Sequence, residues 1–502
     1  MFLRAVVLLL LTLFACVPQL SMSDWRGTEA RRVQIAQEMV QSGDWLVPTI
    51  GGEPTWAKPP LHYWLLGAVS ELCGDGRFWM RIPSVVGLFA SALFAMVLLR
   101  RWYGDGAGWV GALGVLCAPL ALFEWGTSEI DPLFASLTAM SLWALATGVA
   151  RERGALVVLS GAIGGLALLQ KGPPYFLFAA GAYLVWWRRR GLRFTLHHFA
   201  PLIAVPLCYF VPVWLFAVAP AEMLGVAGDE SVGRLVGMSW RQLVDTPEYL
   251  ARAIAVQLPL VAWCFWEWRG ARNARMDAAD LTLRMCSGGA VLAVLLLMFF
   301  PLRPTRYLMP NVPLFTFAVA PAVAHFARQE RLLGAFSRRL LAVLGVAAAL
   351  GLLAAPFVPN LGVAAAGFFL VVALWSRAVT TPRRLVAFAL ALPVVAAWTL
   401  GLAWSEAWAT SSRGMAPTAA VLRTELDRLG ARDLVTHGHV DGKLLLGAGL
   451  LPKGDETARS VPQAKWVLAE VPLSPRIPQQ YRERLLVASG GVVFAVVEDP
   501  SR

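Results

Sequence analysis

The run Ile82-Pro83-Ser84-Val85-Val86-Gly87-Leu88-Phe89-Ala90-Ser91-Ala92-Leu93-Phe94-Ala95-Met96-Val97-Leu98-Leu99, closed by Arg100-Arg101, decides the fold class. No charged side chain interrupts it, and a helix of about 20 apolar residues is what crosses a hydrocarbon core roughly 30 Å thick. The pattern recurs along the chain. Candidate spans are 5–20, 79–99, 107–124, 132–150, 155–169, 173–187, 198–219, 252–268, 285–301, 307–326, 340–358, 361–375 and 385–404. The reading is an all-α polytopic membrane protein with about thirteen transmembrane helices.

Composition agrees. Of the 502 residues, 57% are hydrophobic and 15% charged, against about half and about a quarter in a soluble domain. Mean hydropathy is +0.59. Such a chain cannot cover most of its length with a water-facing surface, which excludes an ordinary cytosolic enzyme, a disordered protein and a fibrous repeat. The net charge of +12 does not point to nucleic acid, because the arginines sit in short clusters between apolar runs. Arg4, Arg100/Arg101, Arg151/Arg153, Arg188/Arg189/Arg190, Arg269/Arg272/Arg275, Arg328/Arg331/Arg338 and Arg377/Arg383/Arg384 fall on alternate connectors. The positive-inside rule then puts the amino terminus and these loops in the cytoplasm and the carboxyl terminus outside. The six cysteines are scattered without a CxxC pair, so neither a disulfide framework nor a zinc site is indicated. The first apolar run, Ala5 to Leu20, resembles a signal peptide but lacks a small-x-small cleavage site and reads as an uncleaved first helix.

The outer connectors differ in kind. The first, 21–77, is long: Thr28 to Gln41 reads as an amphipathic helix with Val33, Ala36, Met39 and Val40 on one face, lying along the membrane surface and stopped by Gly43. Trp56-Ala57-Lys58-Pro59-Pro60-Leu61-His62-Tyr63-Trp64 follows. A second outer loop, 124–132, carries Glu129 and Asp131; a third is Gln170-Lys171-Gly172-Pro173-Pro174; a fourth runs from Pro220 to Leu250; a fifth is Arg303-Pro304-Thr305-Arg306-Tyr307. From Ser405 the composition turns soluble. A helix is expected over Ala416–Leu429, short strands over Asp433–His437 and Lys465–Glu470, and a hairpin from Leu485–Ala488 and Val492–Val497 about Ser489-Gly490-Gly491. This predicts a transmembrane unit at 1–404 and a small α/β unit at 405–502.

Ionisable groups are expensive near hydrocarbon and default to functional hypotheses. Glu29, Lys58, Asp131, Lys171, Glu230, Arg234 and Arg306 all belong to outer connectors. Cations beside carboxylates in one cavity suit movement of a sugar off a lipid phosphate: the cations neutralise the departing phosphate and a carboxylate orients or deprotonates the attacking group. Each residue also has a structural reading. Glu29 meets a helix dipole, Asp131 before Pro132 can cap a helix, Lys58 and Lys171 can snorkel, Arg306-Tyr307 can anchor a boundary, and Glu230 with Arg234 can form a solvated helical pair.

The combined motifs resemble a known group. Thr28-Glu29-Ala30-Arg31-Arg32-Val33, Ser42-Gly43-Asp44-Trp45, Gly52-Glu53-Pro54 and Lys58-Pro59-Pro60-Leu61-His62-Tyr63-Trp64, followed by Glu129-Ile130-Asp131-Pro132, Leu169-Gln170-Lys171-Gly172-Pro173 and Arg306-Tyr307-Leu308-Met309-Pro310, occur in register and in order. The first-loop run resembles that of bacterial GT-C glycosyltransferases of the aminoarabinose lipid A transferase (ArnT-like) and protein O-mannosyltransferase group. The resemblance implies a GT-C fold with a periplasmic carboxyl-terminal domain in the bacterial inner membrane. It also implies inverting transfer of a sugar from a polyprenyl phosphate donor to a glycolipid or protein acceptor among membrane lipids. It places Glu29 and Asp131 as catalytic acids and Lys58, Lys171 and Arg306 at the donor phosphate. Glu230, Arg234 and Tyr307 are further candidates for substrate contact, and His62 and Tyr63 read as lining the packing surface of the loop, with substrate contact as the other reading. This chain has Thr28 where the group often has aspartate, and Ala57 where the lipid A transferase commonly has a glutamate associated with a metal site. No metal ligand or organic cofactor is therefore assigned, a divalent metal being the one candidate. The competing class is a transporter or lipid flippase, which places ionisable groups at the membrane midplane between repeats.

Overall fold

The computed structural model describes residues 2–20, 22, 25–190, 194–216, 281–300, 305–328, single positions between 381 and 394, 416–431, and four strands beyond them. Expected spans at 252–268, 340–358 and 361–375, most of 385–404, and the pair Glu230 and Arg234 lie outside the described residues.

The helices are α1 (Phe2–Leu20), α2 (Glu29–Ser42), α3 (Leu61–Cys73), α4 (Arg77–Tyr103), α5 (Asp105–Leu116), α6 (Pro119–Glu124), α7 (Ile130–Ala150), α8 (Gly154–Lys171), α9 (Pro174–Arg190), α10 (Thr195–Phe216), α11 (Leu281–Leu297), α12 (Asn311–Ala327) and α13 (Ala416–Leu429). Strands β1 (Thr49–Ile50) and β2 (Glu53–Pro54) pair in the first loop, and β3 (Leu434–His437), β4 (Trp466–Glu470), β5 (Arg482–Ser489) and β6 (Val492–Glu498) form a sheet. Among the described residues six helical segments are long and apolar enough to cross a membrane: α1, α4, α7, α8, α10 and the segment Thr305–His325. The expected span at 107–124 is two helices. Pro119 lacks an amide hydrogen and forces Ala118 into extended backbone, so α5 ends and α6 starts afresh.

The bundle has two chemically different ends. Arg81 and Arg100 lie near opposite ends of α4, and 19 residues at about 1.5 Å rise separate them by roughly 28 Å, close to one hydrocarbon thickness. At one end Asp105 binds Arg4 at 2.7 Å and Arg100 at 2.5 Å, and Arg151, at the foot of α7, stacks on Trp102 at 5.1 Å. At the other end lie the carboxyl end of α1, the first loop, the start of α7 and the end of α8. Helix α7 is the centre, buried along nearly its whole length and packed against α4, α8, α11 and α12. Trp143 at its middle is fully buried and stacks between Phe94 (6.3 Å) and Phe317 (5.1 Å). Lipid is as apolar as leucine, so close packing across small residues holds such helices together. Helices α9 and α11 cross at Gly181 and Gly288, where a Cβ on Gly181 would overlap the Gly288 carbonyl.

The first loop is more enclosed than its sequence suggests. Besides Val33, Ala36 and Met39, helix α2 also buries Gln34, Ile35, Gln37 and Glu38, while Val40 is only half-buried. The cause is twofold. Helix α3, where no helix is expected, lays Tyr63 and Leu66 against α2. The β1–β2 turn folds back so that Glu38 accepts hydrogen bonds from Thr49 Oγ1 (3.0 Å), Gly51 N (2.7 Å) and Gly52 N (3.1 Å). In the carboxyl-terminal segment the sheet order is β3-β4-β6-β5, with β3 parallel to β4 and the other pairs antiparallel. Ala419, Leu422 and Leu426 of α13 pack on Trp466, Leu468 and Val496. The expected helix, strands and hairpin are all present there.

A branched residue at the α9–α11 crossing must push the helices apart. Gly181→Val should cost about 1–3 kcal/mol, as overpacking does, and lower the thermal unfolding midpoint of the detergent-solubilised chain.

Candidate active site

The site is built on a buried arginine. Arg81 is 0% exposed. Its Nε and one terminal nitrogen each donate to Glu29 at 3.0 Å, and the other terminal nitrogen donates to the carbonyls of Gln19 and Met22 at 3.0 Å. The Trp25 ring lies 5.8 Å from the guanidinium carbon. Glu29, also 0% exposed, further accepts from the amides of Arg26 and Ser128, both at 2.6 Å. Burial alone pushes the Glu29 carboxyl pKa up, but the Arg81 charge and these donors overcome it and hold the group below the usual carboxylate range. Burying either charge costs several kcal/mol, and only full pairing of this kind offsets that. The Arg81–Glu29 pair thus joins α1, the first loop, α4 and the second loop.

A second set of contacts fixes the second loop. Ser128 Oγ donates to the Met80 carbonyl at 2.9 Å. His62, 0% exposed, donates from Nε2 to the Ser128 carbonyl at 2.7 Å, and its Nδ1 accepts from the Gln170 amide at 3.0 Å. Burial drives the His62 pKa down to about 4, so the ring is neutral, as those bonds require. Gln170 also reaches the Ile130 carbonyl at 3.2 Å. Tyr63, 1% exposed, accepts from Arg32 at 2.9 Å. His62 and Tyr63 are therefore enclosed by protein.

The charged cluster lies at the amino end of α7. Asp131 pairs with Lys171 at the end of α8, and Arg306 Nε is 3.6 Å from the other Asp131 oxygen. The Lys171 ammonium sits 4.4 Å from the Tyr307 ring centre and 5.3 Å from that of Phe134. Asp131 and Lys171 side chains are 9% and 8% exposed, Arg306 31%, so Arg306 is the open edge of the cluster. Glu129 accepts from Thr28 N at 2.5 Å and Thr28 Oγ1 at 2.6 Å, with an Arg306 nitrogen at 3.4 Å. Burial raises its pKa, and Arg306 and Thr28 counter only part of this. Gly27, at φ +51°, packs its Cα directly beneath that carboxylate, where a Cβ would collide with Oε1.

Lys58 is half-buried and donates to the Ala57 carbonyl at 2.8 Å. Its turn abuts that of Lys171, with Pro59 Cγ 3.9 Å from where a Cβ on Gly172 would be. Asp131, Lys171, Arg306 and Tyr307 are thus in mutual contact, Glu29 lies behind them against Arg81, and Lys58 borders the group. Arg81 and the Thr28–Glu129 pair are the components missed in sequence. Arg81 stands inside an apolar run, where an arginine at the edge reads as a snorkelling end, although an intramembrane charge is itself the available signal. Among the described residues no group of His, Cys, Asp and Glu is arranged to hold a metal ion. Cations able to exchange a carboxylate for a phosphate, next to a buried acid, can bind a phosphate and stabilise the charge it gains as a leaving group.

Fold and cluster define a polytopic membrane protein of the GT-C architecture with its charged site at one end of the bundle. Residues 57–216 match the family described as dolichyl-phosphate-mannose-protein mannosyltransferase. An undecaprenyl phosphate-alpha-4-amino-4-deoxy-L-arabinose arabinosyl transferase of Pseudomonas fluorescens is 33% identical over 187 residues, covering 36% of this chain and 32% of that protein. The transferase of the same name from Pseudomonas aeruginosa is 32% identical over 227 residues, covering 43% and 41%. The chain spans only about a third to two fifths of the length of these relatives. The fold match extends further: ArnT from Cupriavidus metallidurans bound to undecaprenyl phosphate superposes with a TM-score of 0.72 at 20% identity, covering 99% of this chain and 97% of that one. Its apo state gives 0.70 at 19% identity. These matches bear out the resemblance read from the first-loop motifs.

Two outcomes test the framework. Arg81→Ala leaves Glu29 buried and unpaired and should cost about 3–5 kcal/mol, seen as loss of folded protein by size-exclusion chromatography in detergent. His62 has a folded pKa of about 4 against an ordinary 6.5, so the unfolded chain binds the extra proton between those values. Its contribution is complete above pH 6.5 and lost as pH falls towards 4, about 3 kcal/mol in all. The unfolding midpoint should fall over that window, and less steeply in His62→Asn.

Proposed function

We propose that the chain transfers a sugar from a polyprenyl (undecaprenyl) phosphate donor to a lipid A-type glycolipid or a protein acceptor, at the periplasmic face of the bacterial inner membrane. The observation that carries this is the Asp131–Lys171–Arg306 cluster at the amino end of the central helix, in a bundle that shares its fold with a protein crystallised with undecaprenyl phosphate. The relatives' sugar, 4-amino-4-deoxy-L-arabinose, is the first donor to test.

In this reading the donor phosphate displaces Asp131 from Lys171 and Arg306, with Lys58 approaching from the adjoining turn. The acceptor oxygen attacks the anomeric carbon from the face opposite the phosphate and inverts it. The carbon–oxygen bond to phosphate breaks, its electron pair stays on the phosphate, and the leaving group goes from one negative charge to two beside the two cations. Asp131, released from Lys171, orients the acceptor. Glu29 acts indirectly, holding the second loop through Arg81 and Ser128. His62 and Tyr63 support the same loop. Glu230 and Arg234, in the fourth connector, are proposed as further substrate contacts. Thirteen transmembrane helices in 1–404, a cytoplasmic amino terminus and a periplasmic α/β domain at 405–502 complete the proposed topology. Location of the charges at one end of the bundle, rather than at its midplane, supports a transferase over a transporter or flippase.

The test is transfer of labelled sugar from undecaprenyl phosphate in membranes. Lys171→Met and Asp131→Asn should each lower transfer by about 10²–10³-fold, as loss of a preorganised electrostatic partner does. Transfer undiminished in both would remove the site.

A further inference from the structure

Three carboxylates meet where the first two outer loops join, and they are not equivalent. Glu29 accepts four hydrogen bonds, two from a fully buried guanidinium. Asp131 is held by an ammonium and faces a second cation. Each of these two carboxylates is paired with a full positive charge. Glu129 is held mainly by the neutral donors of Thr28, its amide and its hydroxyl, with the Arg306 nitrogen more distant at 3.4 Å. Among the described residues Oε2 accepts only from the Thr28 hydroxyl, which leaves it a lone pair. Of the three, Glu129 loses the least on taking a proton.

Its position fits that role. Glu129 lies two residues before Asp131, and Arg306 touches both carboxylates, so a phosphate drawn to Arg306 and Lys171 arrives beside Glu129. The charged groups facing it are Arg306 and Asp131, with Glu124 near enough to interact and itself 3.7 Å from Arg26. Position 28, the first-loop site where this chain carries a hydroxyl, is the residue that holds the Glu129 carboxylate. The carboxylate is supplied from the second loop and docked onto the first, over a glycine whose missing side chain leaves room for it.

We propose that Glu129 is a catalytic residue of the transfer reaction, the base that receives the proton of the acceptor hydroxyl, positioned by Thr28. This rests on the reading under Proposed function. As the acceptor oxygen bonds to the anomeric carbon and the bond to phosphate breaks, the acceptor proton passes to Glu129 Oε2. The phosphate keeps the electron pair, and the proton then leaves to water and restores the carboxylate. The raised pKa of Glu129 suits a group that must hold a proton briefly.

The experiment uses the purified full-length chain and undecaprenyl phosphate carrying labelled 4-amino-4-deoxy-L-arabinose, with lipid A and, separately, a serine- and threonine-containing peptide as acceptors. Transfer confined to the lipid A phosphates, which have no hydroxyl proton to give up, overturns the proposal. Glu129→Gln should lower kcat by at least about 100-fold, within the range for a lost general base, and bind undecaprenyl phosphate within about threefold of the unaltered protein. It should also lose the acid limb of the kcat–pH profile. Thr28→Asp/Glu129→Gln, which moves the carboxylate to the first loop, should recover activity to within about tenfold of the unaltered protein. Transfer by Glu129→Gln at more than a third of the normal rate overturns the proposal, as does parallel loss of lipid phosphate binding or a double variant no better than the single one. Absence of transfer by the unaltered protein would instead overturn the functional reading on which it rests.

Discussion

The described structure turns on one buried ion pair. Arg81 and Glu29 sit where water is excluded, and neither charge is tolerable there without the other. Among the described residues, Arg81 donates to α1 and the first loop, and the Glu29 oxygens accept from α4, the first loop and the second loop. Because the pair is satisfied only when these four pieces are in register, its electrostatic demand becomes a positional constraint. The start of α7 is placed by that constraint. So is the cluster of acids and cations that the start of α7 carries.

The same arrangement separates support from chemistry. Behind the cluster lie groups with a settled charge: the Arg81–Glu29 pair and the neutral His62 held between Ser128 and Gln170. In front lie groups whose partners can be exchanged, with Arg306 at the open edge and Lys171 cushioned on the Tyr307 and Phe134 rings. A rigid, fully satisfied layer beneath a less committed one is what preorganised electrostatic stabilisation requires, because the donors must not reorganise when charge moves.

Much of the bundle was readable from hydropathy, since a spanning helix has to be apolar along a continuous stretch of chain. The described helices at α4, α7, α8, α9, α10 and α12 begin and end within a few residues of the expected spans. Hydropathy alone does not show the break inside 107–124, although Pro119 marks it. Helix α3 was hidden because Lys58-Pro59-Pro60 reads as loop and the apolar residues after it are too few to span. The enclosure of α2 was hidden too: polar residues such as Glu38 read as a solvated face until the β1–β2 turn that buries them is in place.

Class and chemistry therefore came from local features. Continuous apolar runs, arginine clusters on alternate connectors, and the Lys-Pro-Pro and Gln-Lys-Gly-Pro turns can each be recognised without knowing where the rest of the chain goes. The pairing of charges came from the tertiary structure. Glu29 meets an arginine 52 residues away, and Glu129 meets a threonine 101 residues away. Which acid becomes a permanent anion and which stays able to accept a proton depends on those long-range partners and on how deeply each is buried. Residue type and spacing carry neither.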